Sequence, residues 1–291
     1  MTQHLHDHPN HHDHSLAADI DTMLAMTASR RQSLRWLFAT AVLPLGGCGG
    51  SETQGAGTVS PGLSYNISDT VTASNGACSV IPEETGGPYP GDGTNRNATG
   101  VANALVLAGI VRSDIRASVA GPTGVAEGVP LTIRLQLVNV NAACATLAGA
   151  TVYIWHCDRE GRYSMYSTGI SGENYLRGVQ QADANGVITF QTIFPGCYDG
   201  RMPHVHFEVY PSLDKATVAA NRIKTSQFGF PSATLTEAYA ASGYGTSVSN
   251  LARISYATDN VFSDGTSLQI ASVSGSAAQG FTAMLTIGVS L

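Results

Sequence analysis

Short stretches in which apolar and polar residues alternate recur along the chain. In the stretch from Leu131 to Leu137, every second residue is Leu or Ile, and Thr, Arg and Gln stand between them. A period of two is typical of a β-strand with one buried face. The stretches that we predict to be strands on this basis, or because they are continuously apolar, are 104–111, 131–137, 150–156, 187–193, 204–210 and 281–289.

Turn and helix signals lie between these strands. The sequence DANG at Asp183 to Gly186 predicts a turn immediately before strand 187–193. One helix is predicted near Thr234 to Ala241, where Thr234 and Glu237 have capping-box spacing and a glycine follows. Strands separated by turns, with few short helices, predict an all-β fold of the antiparallel β-sandwich type, prealbumin-like in architecture.

Composition supports one large β domain and excludes one class of partner. Of the 291 residues, 43% are hydrophobic, which is enough for a sizeable core. Only 12% are charged and the formal net charge is -6. Without a basic stripe, we do not expect this protein to bind nucleic acid.

The first 47 residues are predicted to be an export signal. Arg30 and Arg31 precede an apolar run from residue 36 to 45, which is too short to span a bilayer. This pattern is typical of a twin-arginine signal. The run ends in Leu-Gly-Gly-Cys48, which resembles a lipoprotein box whose cysteine becomes lipidated. The alternative is an amphipathic helix of the folded domain, although the run lacks helical periodicity.

The remaining chain divides into two further parts. Residues 48–77 are rich in Gly, Ser and Thr and predict a flexible tether, and residues 78–291 form the folded domain. The protein is thus expected to be a periplasmic or cell-envelope lipoprotein that touches the membrane only through Cys48. The stretch before the arginine pair is histidine-rich, which indicates either a disordered tail or weak metal binding.

The number of cysteines is consistent with an exported protein. If Cys48 is lipidated, Cys78, Cys144, Cys157 and Cys197 remain. An even number in an exported protein permits two disulfides, for which three connectivities are open.

The stretch 195–207, PGCYDGRMPHVHF, holds the residues best suited to chemistry. His204 and His206 are two positions apart, so on a strand they point to the same face, as a pair of metal ligands would. A polar strand surface would explain the pair equally well. Tyr198 and Arg201 belong to the same unit, and Tyr163 follows a glycine turn upstream.

Four motifs occur along the chain, in this order: PEETGGPY (82–89), YIWHCDREGRYSMY (153–166), YLRGVQQADANG (175–186) and TIFPGCYDGRMPHVHF (192–207). They resemble the motifs of the intradiol ring-cleavage dioxygenases, the family of catechol and protocatechuate 3,4-dioxygenases. The resemblance runs from about residue 78 to 290. It implies a non-haem Fe(III) bound by Tyr163, Tyr198, His204 and His206, since phenolate is a hard donor that suits ferric iron.

The resemblance also implies roles around the metal. Arg201 matches an arginine that stabilises the carbanion developing on the ring, the alternative being a surface ion pair with Asp199 or Asp114. Gln227 matches a glutamine near the reacting ring. Thr85, Pro88 and Tyr89 match a segment that lines the substrate pocket, although a Gly-Gly-Pro turn is a sufficient structural explanation for that sequence.

Two features of the chain depart from the family pattern. Cys197 stands where many relatives carry another residue, and it either pairs with Cys157 or Cys78 or stays buried as a thiol. The helical dimerisation domain of cytosolic catechol dioxygenases has no counterpart, so the oligomeric state is left open.

The function predicted from these motifs is intradiol cleavage of a catechol-type diol by O2, giving a cis,cis-muconate-type product. One alternative is a non-catalytic cell-surface β-sandwich module that binds a partner. Another is a zinc hydrolase that uses His204 and His206, but no third His, Cys or carboxylate ligand stands in an obvious place.

Overall fold

A computed structural model describes residues 78–291, so the predicted export signal, Cys48 and the tether lie outside the described residues. The strands are β1 Asp92–Asn97, β2 Gly100–Asn103, β3 Pro130–Asn139, β4 Ala145–Thr146, β5 Thr151–Trp155, β6 Arg177–Gln181, β7 Val187–Ile193, β8 His204–Tyr210, β9 Lys224–Gly229, β10 Ser272–Ser276 and β11 Gly280–Val289. The helices are α1 Ser232–Tyr239 and α2 Gly245–Leu251. Within this part of the chain, no helix has the length and apolar character needed to cross a bilayer.

Two sheets form the sandwich. One has the order β10-β11-β3-β4, with β7 also paired to β3, and the other has the order β6-β5-β8-β9. Strands β1 and β2 form a separate hairpin. The pairs are antiparallel except β11 with β3, which is parallel. The predicted all-β sandwich is therefore confirmed, with one parallel pair inside it.

The core lies between the inner faces of the two sheets. Leu131, Ile133 and Leu135 of β3 face Phe207 and Val209 of β8, and all five are fully buried. Burying such a side chain stabilises the fold by about 1.5–3 kcal/mol relative to leaving it exposed. Because β8 has a period of two, its other face is free to carry residues that are not part of this core.

The prediction of a strand at residues 104–111 is wrong. The segment forms consecutive turns, in which the N–H of Leu107 bonds the carbonyl of Ala104 and the N–H of Ile110 bonds that of Leu107. Gly109 has φ +83°, a left-handed backbone conformation that is common in turns. The run is apolar but does not alternate, and a short apolar run identifies buried chain without fixing its backbone. The other five predicted strands are present as β3, β5, β7, β8 and β11.

The predicted helix exists, but its start and its cap differ. Helix α1 begins at Ser232, so Thr234 lies inside it and makes no cap. The Glu237 carboxylate instead accepts a hydrogen bond from the N–H of Ala277, 40 residues away. The helix ends at Tyr239, and the second helix was not predicted from the sequence.

The described cysteines form one disulfide, between Cys78 and Cys144, and Cys157 and Cys197 are buried thiols. A pairing of Cys197 with Cys157 or Cys78 is therefore wrong. The Cys197 side chain packs in the main core, and its thiol donates to the carbonyl of Arg201 at 3.4 Å. Burial raises the pKa of this thiol to about 12.

Candidate metal centre

The outer face of β8 presents both predicted histidines. His204 and His206 point away from the main core because Val205 between them points into it. On the neighbouring strand β5, Trp155 is paired with His206, and the two rings stack at a centroid distance of 4.9 Å and an angle of 3°. The stacked indole fixes the plane of the His206 ring.

A tight turn places the side chain of Tyr163 beside the two histidines. The Asp158 carboxylate accepts hydrogen bonds from the N–H groups of Glu160 and Arg162, each at 2.9 Å. Gly161 between them has φ +85°, and a Cβ there would lie 2.9 Å from the Cβ of Tyr198. Only glycine therefore lets this turn pack against the segment that carries the second tyrosine.

The four predicted metal ligands converge. The Nε2 of His204 lies 3.4 Å from the Tyr163 hydroxyl, 3.3 Å from the Tyr198 hydroxyl and 3.0 Å from the Nε2 of His206. Three of the four residues, Tyr163, His204 and His206, are at most 3% exposed.

The histidines are arranged to offer lone pairs. The Nδ1 of His204 lies 2.6 Å from the carbonyl of Met202. A carbonyl only accepts, so Nδ1 carries the proton and Nε2 is left with a free lone pair. Burial, reinforced by the nearby Arg201 guanidinium, lowers the pKa of His204 to about 3. Burial and the His204 charge likewise hold the pKa of His206 well below its ordinary value, so both rings are neutral at pH 7.

The two phenols are suited to a highly charged cation. Burial raises the pKa of Tyr163 well above 10 and that of Tyr198 to about 12, and Arg201 offsets part of this. Without a cation both therefore remain protonated. A bound metal ion inverts this preference because its charge stabilises phenolate. Two phenol oxygens and two neutral imidazoles form a donor set that fits ferric iron.

The donor set does not fit the zinc alternative. Among residues 78–291, no cluster of three or more His, Cys, Asp or Glu side chains could hold a metal ion. Structural and catalytic zinc sites are built mainly from those residue types. The pair His204 and His206 is completed by tyrosines only.

Arg201 is buried beside the ligands and is not on the surface. Its Nε donates to the carboxylate of Asp259 at 3.0 Å and its Nη2 to the amide oxygen of Gln227 at 2.6 Å. Its Nη1 is buried and has no hydrogen-bond partner among the described residues. The alternative of a surface ion pair is wrong, because Asp199 pairs with Arg253 and Asp114 with Arg116.

Asp259 was missed by the sequence analysis. Its carboxylate also accepts the N–H groups of Met202 at 2.7 Å, Val261 at 2.8 Å and Phe262 at 3.0 Å. Burial alone would raise its pKa, but Arg201 and these N–H groups outweigh burial and lower it. It lies 58 residues after Arg201 in no recognisable motif, so no sequence signal pointed to it.

Gln227 and the segment 82–89 lie on another side of the candidate metal centre. The Gln227 side chain donates to the carbonyl of Thr85 at 2.8 Å, which ties β9 to this segment. The ring of Tyr89 lies 4.9 Å from that of Tyr163. The carbonyl of Pro88 is held by the side chain of Asn95. Thr85 and Tyr89 therefore lie beside the candidate metal centre, as predicted. The hydrogen bond of Pro88 is instead with Asn95, outside the set of predicted site residues.

Comparison with known proteins supports an enzyme. The family model Dioxygenase_C, described as Dioxygenase, matches residues 112–222, a range that holds Arg201 and all four predicted ligands but neither Gln227 nor segment 82–89. The solved intradiol ring-cleavage dioxygenase from Tetranychus urticae is 27% identical, with a TM-score of 0.56, over 73% of this chain and 95% of that one. A second solved structure, described as the dioxygenase Tetur07g02040, is 26% identical over the same shares, with a TM-score of 0.56. No curated protein matches the chain.

These similarities agree with the fold and with the arrangement of the site. They confirm the predicted class, an oxygen-using enzyme built on a β-sandwich. Within that class, the solved structure from Tetranychus urticae supports the predicted type, because it is described as an intradiol ring-cleavage dioxygenase.

Proposed function

We propose that this protein cleaves the ring of a catechol-type diol between its two hydroxylated carbons, at a non-haem Fe(III) held by Tyr163, Tyr198, His204 and His206. The observation that carries the proposal is the convergence of these two phenols and two imidazoles within hydrogen-bonding distance of His204.

The iron would act as a Lewis acid that draws electron density from both catechol oxygens and so primes the ring for O2. The residues of the chain prepare that chemistry. The Met202 carbonyl holds the proton of His204 on Nδ1, and Tyr163 and Tyr198 give up their protons when the cation binds. Each buried group then presents the protonation state that a cation requires.

Arg201 supplies positive charge where the reaction needs it. Two of its nitrogens are fixed by Asp259 and Gln227, and Nη1 is left as an unpaired buried donor. A fixed guanidinium stabilises negative charge that develops on the attacked ring carbon. The carbon–carbon bond between the hydroxylated carbons breaks and both atoms of O2 enter the product, a cis,cis-muconate-type diacid, so no external reductant is consumed.

Colour and oxygen uptake test this proposal. Phenolate bound to Fe(III) absorbs visible light, so the iron-loaded protein should be coloured and should consume O2 with members of a catechol panel. Tyr198→Phe should lose most of the colour and all turnover. As a matched control, Tyr244→Phe removes another buried phenol, which bonds the Phe194 carbonyl in the core, and should keep both. A colourless iron-loaded protein without turnover would instead favour a binding module.

We also propose that the protein is exported and lipidated at Cys48. Arg30, Arg31 and the Leu-Gly-Gly-Cys48 sequence support this, and so does the Cys78–Cys144 disulfide, since disulfides persist in oxidising compartments. Twin-arginine export carries folded proteins, so iron could be inserted before export. Mass spectrometry of membrane-extracted protein should find a chain that begins at diacylated Cys48. An intact N-terminus on the mature protein would refute lipidation.

A further inference from the structure

Arg177, the first residue of β6, is a buried cation without an anionic partner. Its side chain is 1% exposed, and among the described residues no carboxylate forms an ion pair with it. Burying an unpaired charge is costly unless its hydrogen bonds are satisfied. Its surroundings should therefore explain why an arginine is kept there.

Every N–H of this guanidinium has an acceptor. Nη1 donates to the carbonyl of Pro90 at 2.7 Å and to the hydroxyl of Tyr153 at 3.0 Å. Nη2 donates to the carbonyls of Tyr89 and Ser164, both at 3.0 Å. Nε donates to the hydroxyl of Ser164 at 3.2 Å. An arginine side chain has five N–H donors, so all of them are used.

Three of the acceptor residues, Tyr89, Pro90 and Ser164, belong to two segments that meet at the candidate metal centre, and the fourth, Tyr153, lies on β5. Ser164 directly follows Tyr163, and Tyr89 contacts the Tyr163 ring at 4.9 Å. Gly91 has φ +61°, and a Cβ there would lie 2.8 Å from Nη1 of Arg177. The chain therefore passes so close to the guanidinium that the position accepts no side chain.

A second observation is local backbone strain on both sides of the contact. Met165 has φ +72° and Leu176 has φ +58°, and neither is glycine. Residues persist in this region only where their surroundings impose it, and they are enriched at functional sites. Both are direct neighbours in sequence of residues in the Arg177 contact, Ser164 and Arg177 itself.

We propose that Arg177 is a positioning residue that locks the Tyr89 segment against the Tyr163 segment and thereby fixes the wall of the substrate pocket beside the metal centre. This inference rests on the proposed function for the identity of the pocket. The planar fork of an arginine is what spans two segments at once. A lysine at the same place keeps the charge but donates from a single atom.

Arg177→Lys tests the proposal. We expect kcat/KM for catechol to fall about 10- to 100-fold, as for other residues that orient a metal site from outside it. Most of the loss should appear as a higher KM, because the wall moves while the four ligands remain. Hydrogen–deuterium exchange of the peptide spanning 86–95 should become faster in the iron-free and the iron-loaded protein alike.

Arg112→Lys is the matched control. Arg112 also donates to backbone carbonyls, those of Ala117, Asn174 and Arg177, but it touches neither Tyr89 nor Ser164. It should lower the Tm and leave KM and the exchange of 86–95 unchanged. If Arg177→Lys behaved in the same way, with a lower Tm only, the positioning role would be overturned.

A milder variant keeps the proposal testable if Arg177→Lys does not fold. Tyr153→Phe removes one acceptor of Nη1 and a 2.7 Å hydrogen bond to the Pro90 carbonyl. It should raise KM and the exchange of 86–95 in the same direction by a smaller factor, and no change in either would contradict the proposal. If the unmodified protein cleaves no catechol, the proposed function fails, whereas the exchange result still decides whether Arg177 holds this segment.

Discussion

The two faces of β8 are equally buried, but one packs in the apolar core and the other carries polar residues of the candidate site. On the inner face, Phe207 and Val209 are fully buried among other apolar side chains. On the outer face, His204, His206 and Glu208 are at most 3% exposed, and their polar atoms contact other polar side chains. Burial alone therefore does not separate core from site in this protein. What separates them is whether the buried atoms need partners.

The outer face carries unusual protonation equilibria as a result. Burial, together with the nearby Asp92, raises the pKa of Glu208 to about 8, and the hydroxyl of Tyr210 donates to its carboxyl at 2.6 Å. The inner face contains no titratable group on β8. The inner-face residues of β8 thus stabilise the core, whereas the pKa values of its outer-face residues are shifted by burial.

The largest effects are expected when one residue on each face of β8 is truncated. Phe207→Ala should lower the free energy of unfolding by about 3–5 kcal/mol, the range for a buried phenylalanine, because it leaves a cavity between the sheets. Urea unfolding monitored by circular dichroism measures this. The visible absorption of the folded fraction should persist.

The partner variant, His206→Ala, should show the reverse pattern, with loss of iron and turnover and a smaller loss of stability. Equal losses of stability at 206 and 207 would show that the outer face is also part of the structural core.

An intermediate effect is expected at Asp259. Asp259→Asn removes the counter-ion of Arg201 while leaving the four proposed ligands in place. We expect kcat to fall by about 10- to 100-fold with the colour retained. Asp114→Asn, which removes an exposed ion pair with Arg116, is the control and should change stability by about 1 kcal/mol at most. An unchanged kcat in Asp259→Asn would mean that Arg201 does not depend on this carboxylate.

The smallest effect is expected from a change of pH, which alters the free energy of unfolding through the buried histidines. His204 and His206 are neutral when folded, with lowered pKa values, whereas in the unfolded chain histidine titrates near its ordinary value. Protons then bind the unfolded state preferentially, so the stability present above pH 6.5 is lost as the pH falls toward the folded values. Between pH 7 and 5.5 this loss is about 1 kcal/mol for His204.

Glu208 acts in the opposite direction over this range, because its raised pKa makes the folded state bind the proton more tightly. The contribution of His204 is therefore measured as the difference in pH dependence between the unmodified iron-free protein and His204→Gln, each followed by urea unfolding at the two pH values. The absence of any difference would contradict the assignment.

Sequence predicted the parts of the molecule that depend on local pattern. Strand β8 was found because its residues alternate, and the four donors were found because they lie in motifs with fixed order. The run 104–111 failed because apolar character without alternation does not specify a strand. Asp259 was missed because it meets Arg201 only through the fold, and Arg177 meets Tyr89 across 88 residues of chain. Contacts of this kind are properties of topology, which no local window contains.

The disulfide between Cys78 and Cys144 has a mechanical consequence. If the chain is anchored at Cys48, any pull on the tether reaches the domain at Cys78, the first described residue. The disulfide passes that force directly to Cys144, immediately before β4, and the 65 residues between the two cysteines are bypassed. This sheltered loop includes the segment with Thr85 and Tyr89, so movement of the envelope would not pull the wall of the candidate metal centre away from its ligands.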